Sequence, residues 1–445
     1  MNRLVSISLV ILVLTAIVFL AWYTAQPDVE EPAPPTDTGE SVTVQDDTFG
    51  LGDIKTIPFD GSGVDREIDV TERRDDRIII PAREPEVGLG SETAVLGDQQ
   101  EVSGRISRLT RLFAGQVAGY RVDKEDGAMV VKVVEAGTGS RYRITVDPYV
   151  LTLASPGEVR KVVEAHLFAN DSALLLYEGD DESAIKSVFV PFNTRESNER
   201  LQRFEDNIRV ATDHENRFFY TRRVNDRVVG IAVDVENPDE TKVIWQSGFS
   251  YWLPRWGRNP FVTITTPISS QARGNVYILD PEGEQPFKRV VEPVFGGSAF
   301  VDAYSGYVVL YEVEKDAFSG STVVTDLSRE HTITMPMTLP EKCDGFNGLF
   351  FCAVPEEIPY ETLSGYETVF PDSWYQGDLS FIDVVLRIDT KTGSVRQVMS
   401  QSETDIQLLS GGELFDITHP YVSDSAEYLF FINKNNLSLW MLRLF

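Results

Sequence analysis

The chain has 445 residues, with 69 acidic against 40 basic side chains and a formal net charge of −29. A negative field of that size repels a phosphate backbone and an anionic lipid surface, which excludes nucleic-acid binding. The acidic excess otherwise fits a soluble, strongly charged surface.

The first element is Leu4 to Tyr23, which carries no charge and, at about 20 residues, is long enough to cross a bilayer core as a helix. Arg3 precedes it and Glu30 and Glu31 follow, so the positive-inside bias places the N-terminus in the cytoplasm and the remainder outside. Residues 1–25 therefore read as a single-pass anchor of the cytoplasmic membrane, N-in, with the C-terminal domain extracytoplasmic. A cleaved signal peptide is the competing reading. The apolar run exceeds a usual signal core, and Tyr23-Thr24-Ala25 is a poor cleavage site. The first cysteine is Cys343, which excludes lipid attachment at a processed N-terminal cysteine.

Residues 26–100 hold Pro34-Pro35, many acids and little apolar periodicity, the pattern of a largely disordered tether. As a random coil it holds the next domain on the order of 40 to 50 Å from the membrane. Arg77 to Pro81 and Glu92 to Leu96 carry strand character and read alternatively as strands added to that domain's edge.

Residues 101–445 are expected to form one folded domain. A loop with a D/N/G-type turn leads into an aromatic and aliphatic run about every 45 residues. The copies are Phe168 to Tyr177, Val210 to Tyr220, Phe300 to Tyr311 and Tyr421 to Phe431, with degenerate ones at Arg255 to Thr265 and Lys342 to Ala353. Strand-like runs such as Val384 to Asp389 close on turn residues such as Asp389 to Gly393, which indicates antiparallel hairpins rather than calcium loops. The expected fold class is all-β, a β-propeller of about seven blades, the length fitting six to eight. Units fall near 105–150, 151–200, 205–247, 250–293, 295–338, 339–402 and 404–445. The chain ends in the strand Leu437 to Phe445, so N-terminal strands are expected to complete the last blade and close the ring. The sixth unit is long because 355–381 inserts a segment rich in Pro, Tyr and Trp.

If Asn347-Gly348 is a two-residue type I′ turn, Cys343 faces Cys352 across the hairpin at a position where Cα atoms approach closely. A disulfide fits there, and an oxidising compartment favours it.

Motifs for chemistry are missing: there is no Gly-x-Ser-x-Gly elbow, phosphate-cradling loop or His-Glu-x-x-His helix. His166, His214, His331 and His419 sit at analogous edges of different units, and only the central channel would gather them into a metal site. No catalytic residue, cofactor or metal is assigned, and the chain reads as a non-enzyme. Candidate binding residues are the rings of Tyr251, Trp252 and Trp256 in the fourth unit and of Trp374 and Tyr375 in the insertion. The competing role for each is packing between blades or on the rim.

Phe113 to Gly119, Glu135 to Tyr142, Pro340 to Cys343, Cys352 to Pro355, Pro371 to Gly377, Phe381 to Asp383, Phe431 to Lys434 and Leu439-Trp440 together span most of 105–445. On these residues the chain resembles a group of single-span, extracytoplasmic propeller proteins of Patescibacteria-type bacteria. More loosely its repeat resembles the WD40-like propeller of TolB-type periplasmic proteins, whose Asp-Pro-x-Trp-Ser-Pro-Asp-Gly signature is reduced here to forms such as Phe168 to Ser172. The resemblance implies the fold and the anchoring and supplies no catalytic residue. The resulting expectation is an interaction scaffold that binds envelope proteins. The alternative is a carbohydrate-binding or glycan-active propeller that uses the channel face and the 355–381 insertion.

Overall fold

The computed structural model describes residues 107–445 apart from 180–184, 194–201, 205–207, 209, 239, 285–286, 303, 314–319, 328–329 and 357–369. The expected anchor and tether, with their two strand-like stretches, lie outside the described residues. Among the described residues no helix is long and apolar enough to cross a membrane.

The described strands build seven four-stranded antiparallel sheets. Six take consecutive strands, from 117–155, 162–203, 210–247, 253–295, 298–335 and 343–399. The seventh combines 417–443 with Leu109–Phe113. First strands of neighbouring sheets touch one another, so they line a common axis and the sheets are blades of a seven-bladed propeller. Leu109–Phe113 pairs antiparallel with Leu439–Arg443 as the outermost strand of blade 7. This is the expected closure: the first described strand of the chain completes the last blade and ties the two ends of the ring together.

The repeat marks the second strand of each blade, which is sandwiched between neighbouring blades and reads as a continuous apolar run. Phe218, Phe219 and Tyr220, then Val309, Leu310 and Tyr311, then Phe350 and Phe351, then Phe430 and Phe431 are all buried. Between blades 6 and 7, Phe351, Phe415, Phe431, Trp440 and Leu109 form one apolar cluster. On the axis side, blades 1 and 2 approach so closely that a Cβ on Gly119 would lie 2.0 Å from the Ala165 carbonyl oxygen.

Strand direction fixes two faces. Tight hairpins join first to second and third to fourth strands on one side. On the other lie the second-to-third connections and every link between blades. This second side, the linking face, carries the insertion and two short helices, α1 (Asp372–Gln376) and α2 (Thr404–Ser410).

Asn347 and Gly348 both have left-handed φ, 53° and 81°, as a type I′ turn requires. Cys343 pairs directly with Cys352, Cα to Cα 4.1 Å, with the sulfurs bonded. The bridge closes a short loop inside a formed hairpin. Replacing both cysteines by serine is expected to cost about 2 to 3 kcal/mol of unfolding free energy, read from denaturant midpoints, with the native spectrum unchanged.

Candidate functional site

The inner strands of several blades carry ionisable groups that the fold encloses, among them His166, Asp302 and Asp344. In blade 2, alternation along Val162–Leu167 turns Glu164 and His166 to the axis side. The His166 ring is buried, with Nδ1 2.7 Å from Asp213 Oδ1 of blade 3 and Nε2 3.2 Å from Glu164 Oε1. Burial alone would lower the His166 pKa. The hydrogen bonds and charges of Asp213 and Glu164 outweigh it and push the value up to about 10. His166 is therefore an imidazolium at neutral pH. Burial would raise the Glu164 pKa, but the His166 contact holds it below the usual carboxylate range. The Glu164 side chain is 47% exposed although protein surrounds it, as expected for a group facing water inside a channel.

His419 reaches the same space by a backbone irregularity. The register between the first two strands of blade 7 slips between Thr418 and Tyr421, and His419 has a left-handed φ of 49°. A bulge of this kind re-aims a side chain, and a non-glycine residue in this region is sparsely populated. The ring is exposed to the channel, while burial of its surroundings lowers its pKa despite the Glu164 charge. His419 is thus a neutral imidazole beside a carboxylate, and its backbone carbonyl accepts the Tyr120 hydroxyl at 2.6 Å.

Two arginines of blade 4 complete the wall. Arg255 lies 4.2 Å over the Phe300 ring and donates to the Pro340 and Cys343 carbonyls at 2.6 and 2.7 Å. It keeps its charge toward Asp344 and Glu341 without a direct carboxylate bond among the described residues. Arg258 lies 4.2 Å over Tyr421 and donates to the Val422 carbonyl. Asp344 accepts the Val422 N–H at 2.8 Å, which ties blade 6 to blade 7. The result is an alternation of carboxylate, imidazole, guanidinium and phenol, able to bind a polar ligand and to exchange protons with it at His419.

The insertion borders this space on the linking face. Trp374 is buried and donates from Nε1 to both Asp416 oxygens, at 3.2 and 3.0 Å. The next residue, Tyr375, is partly exposed and turns toward Glu341 and Arg255, and burial with the Glu341 charge pushes its hydroxyl pKa well up. Beneath Trp374, the Lys342 ammonium sits 2.7 Å from Asp383 Oδ2 and 2.5 Å from Asp416 Oδ1, all three side chains at 0% exposure. Burial and the Asp416 charge push Asp383 up to about 6 against the pull of Lys342.

Of the five rings singled out from sequence, the fold buries Trp252, Trp256 and Trp374, which removes them as stacking platforms. Trp252 packs edge-on against Trp245 between blades 3 and 4, and Trp256 donates from Nε1 to the Asn259 carbonyl beneath His214. Tyr251, 66% exposed, and Tyr375 are the two that reach solvent. The channel gathers His166 and His419 but not His214 or His331, the latter pairing with Asp326 at the surface. Among the described residues no group of three metal-binding side chains occurs.

No protein-family model matches the chain, and no curated protein does. Solved structures similar to it include an oligogalacturonate lyase from Vibrio parahaemolyticus, 11% identical, covering 75% of this chain and 93% of that one at a TM-score of 0.45. Another is a Mycobacterium tuberculosis puromycin-hydrolyzing peptidase, 13% identical over 72% of this chain and 52% of that one, TM-score 0.42. TolB from Acinetobacter baumannii is 10% identical over 73% and 78%, TM-score 0.34. At these values the likeness carries no activity to this chain. The expectation of a non-enzyme is nevertheless withdrawn, because the channel holds acid–base groups that no linear motif announces.

His166 sets a pH dependence. Its folded pKa is raised above the unfolded value, so its contribution to stability is complete below about pH 6.5 and is lost as pH rises toward about 10. Denaturant midpoints of wild type and His166→Gln are expected to differ most at pH 6 and to converge by pH 10. A gap that widens with pH would contradict the assignment.

Proposed function

We propose that the chain is a propeller tethered at the outer face of the cytoplasmic membrane that binds a carbohydrate of the envelope at the channel mouth on its linking face. The supporting observation is the bulge that turns the neutral His419 ring toward Glu164 and Arg255. Backbone strain of this sort is retained where a side chain must be delivered to a ligand. A sugar matches the wall because its hydroxyls donate to carboxylates and accept from guanidinium, while Tyr375 offers a ring face. On a glycan array with the full chain in detergent, binding is expected and should fall at least about tenfold in His419→Ala and in Tyr375→Ala, a loss of about 1.4 kcal/mol. Wild type without a glycan ligand, or variants binding as wild type does, would refute the reading.

A second reading rests on a separate observation. Phe249 and Tyr251, each 66% exposed, and Leu408, 77% exposed, all lie on connections of the linking face. Apolar side chains presented there suit a protein partner in the envelope. Crosslinking in native membranes with Phe249→Ser plus Tyr251→Ser as control is expected to lose that partner while glycan binding persists.

A further inference from the structure

Lys342, Asp383 and Asp416 form a closed group between blades 6 and 7 that the binding site above does not use. The rings of Trp374 and Phe381 wall it, their centroids 5.2 and 5.1 Å from Lys342 Nζ. One ammonium and two carboxylates in so dry a place are costly as ions.

The two carboxylates are not equivalent. Asp416 has its own donors besides Lys342: Trp374 Nε1, the Phe381 N–H at 3.2 Å and the Ser380 hydroxyl at 3.2 Å, with Lys434 Nζ 3.9 Å away. In Asp383, Oδ2 accepts the Ile417 N–H at 2.6 Å, whereas Oδ1 is buried and accepts no hydrogen bond from the described residues. One oxygen is held and polarised; the other is unattached.

We propose that Lys342 and Asp383 become joined by an intramolecular isopeptide bond, with Asp416 as the proton carrier. Asp416 takes one proton from the Lys342 ammonium. The freed Nζ lone pair attacks Cγ of Asp383, whose Oδ2 is held by the Ile417 N–H. Two protons leave Nζ in all, both relayed through Asp416 to Oδ1, which departs as water. Nζ keeps one hydrogen in the new amide, Oδ2 becomes its carbonyl oxygen, and Asp416 ends as the carboxylate it began. No oxidant or co-reactant is needed.

Two physical terms drive the step. Condensation of a free amine and acid is opposed by water, but groups fixed in contact react at an effective concentration of about 10⁵ to 10⁸ M. The product also replaces a buried ammonium and a buried carboxylate with one neutral amide, and Asp416 retains its other donors and Lys434 as counter-charge.

The test is peptide mass spectrometry on the full-length chain, purified in detergent, reduced, denatured and digested with trypsin. Residues 330–342 and 343–387 are adjacent tryptic peptides. The expected result is therefore one looped peptide spanning 330–387, uncleaved after Lys342 and lighter by one water than the linear 330–387 sequence, with the Lys342–Asp383 link located by fragmentation. Asp383→Asn should give the same looped peptide of the same mass, with ammonia lost in place of water. Asp416→Asn, with its fold checked by circular dichroism, should give unlinked peptides. Wild type that yields Lys342 and Asp383 only in separate linear peptides overturns the proposal. So does a water loss that fragmentation places at a single site outside the Lys342–Asp383 link, such as ring closure at Asp344-Gly345 in a peptide still cleaved after Lys342.

Discussion

Burial of the Lys342 ammonium between Asp383 and Asp416 is the constraint on which the linking face depends. Each partner comes from a different part of the chain: the lead into blade 6, the return from the insertion, and the lead into blade 7. A charge removed from water costs several kcal/mol, so these three segments are stable only when they meet. Their meeting fixes Trp374 over Asp416, and Trp374 fixes its neighbour Tyr375 at the channel mouth. Lys434 adds a second clamp, donating to the Trp374 and Leu379 carbonyls at 2.7 and 3.2 Å. The described end of the insertion, 370–381, is thereby part of the wall.

Charge inside the channel follows a related economy. His166 is cationic because it stands between two carboxylates, and His419 is neutral because no such pair grips it. Two rings of the same chemistry, both facing one space, are separated in protonation because the carboxylate partners of His166 outweigh its burial while burial prevails at His419. That separation leaves one imidazole neutral and able to accept a proton while the other holds Glu164 and Asp213 in place across blades 2 and 3. The arginines act differently from each other for the same reason. Arg258 has Asp344 and Asp424 to sustain its charge, whereas Arg255, its pKa lowered by burial and its charge supported at a distance by Asp344 and Glu341, bonds backbone carbonyls.

Local chemistry was legible in the sequence, and convergence was not. The dipeptide Asn347-Gly348 dictates a type I′ turn, the turn dictates register, and register places Cys343 opposite Cys352. The same logic, a turn signal followed by a fully buried apolar strand, yields the blade count and the closure by Leu109–Phe113. Aromatic residues gave a poorer guide to the site. Trp252, Trp256 and Trp374 carry large apolar rings that blades compete to bury, and composition alone does not separate such a ring from an exposed one. The channel groups come from inner strands of different blades, so no linear spacing relates Glu164 to Arg255 or His419. The one local sign was available at Thr418-His419-Pro420, where a proline inside a strand pattern marks a break in the ladder and hence a bulge.

The two faces are under different constraints, and this bears on where binding evolves in such a fold. Hairpin turns such as Asp126-Gly127 and Asn347-Gly348 demand left-handed φ at both residues, which limits them to a few residue types. Those turns also carry much of the acidic excess, through groups such as Asp171, Glu215, Asp234, Asp280, Asp326 and Asp389. The linking face also holds left-handed turn residues, such as Asn225, Gly137 and Gly296, but mixes them with long connections. Its connections differ in length from the short turn at Gly296-Gly297 to the helical lead around α2 and the insertion around α1. A segment free to lengthen can deliver a ring or a charge to the axis without disturbing a ladder, as the insertion delivers Tyr375. Strong negative charge on the opposite side repels anionic surfaces and leaves the linking face as the one suited to close contact.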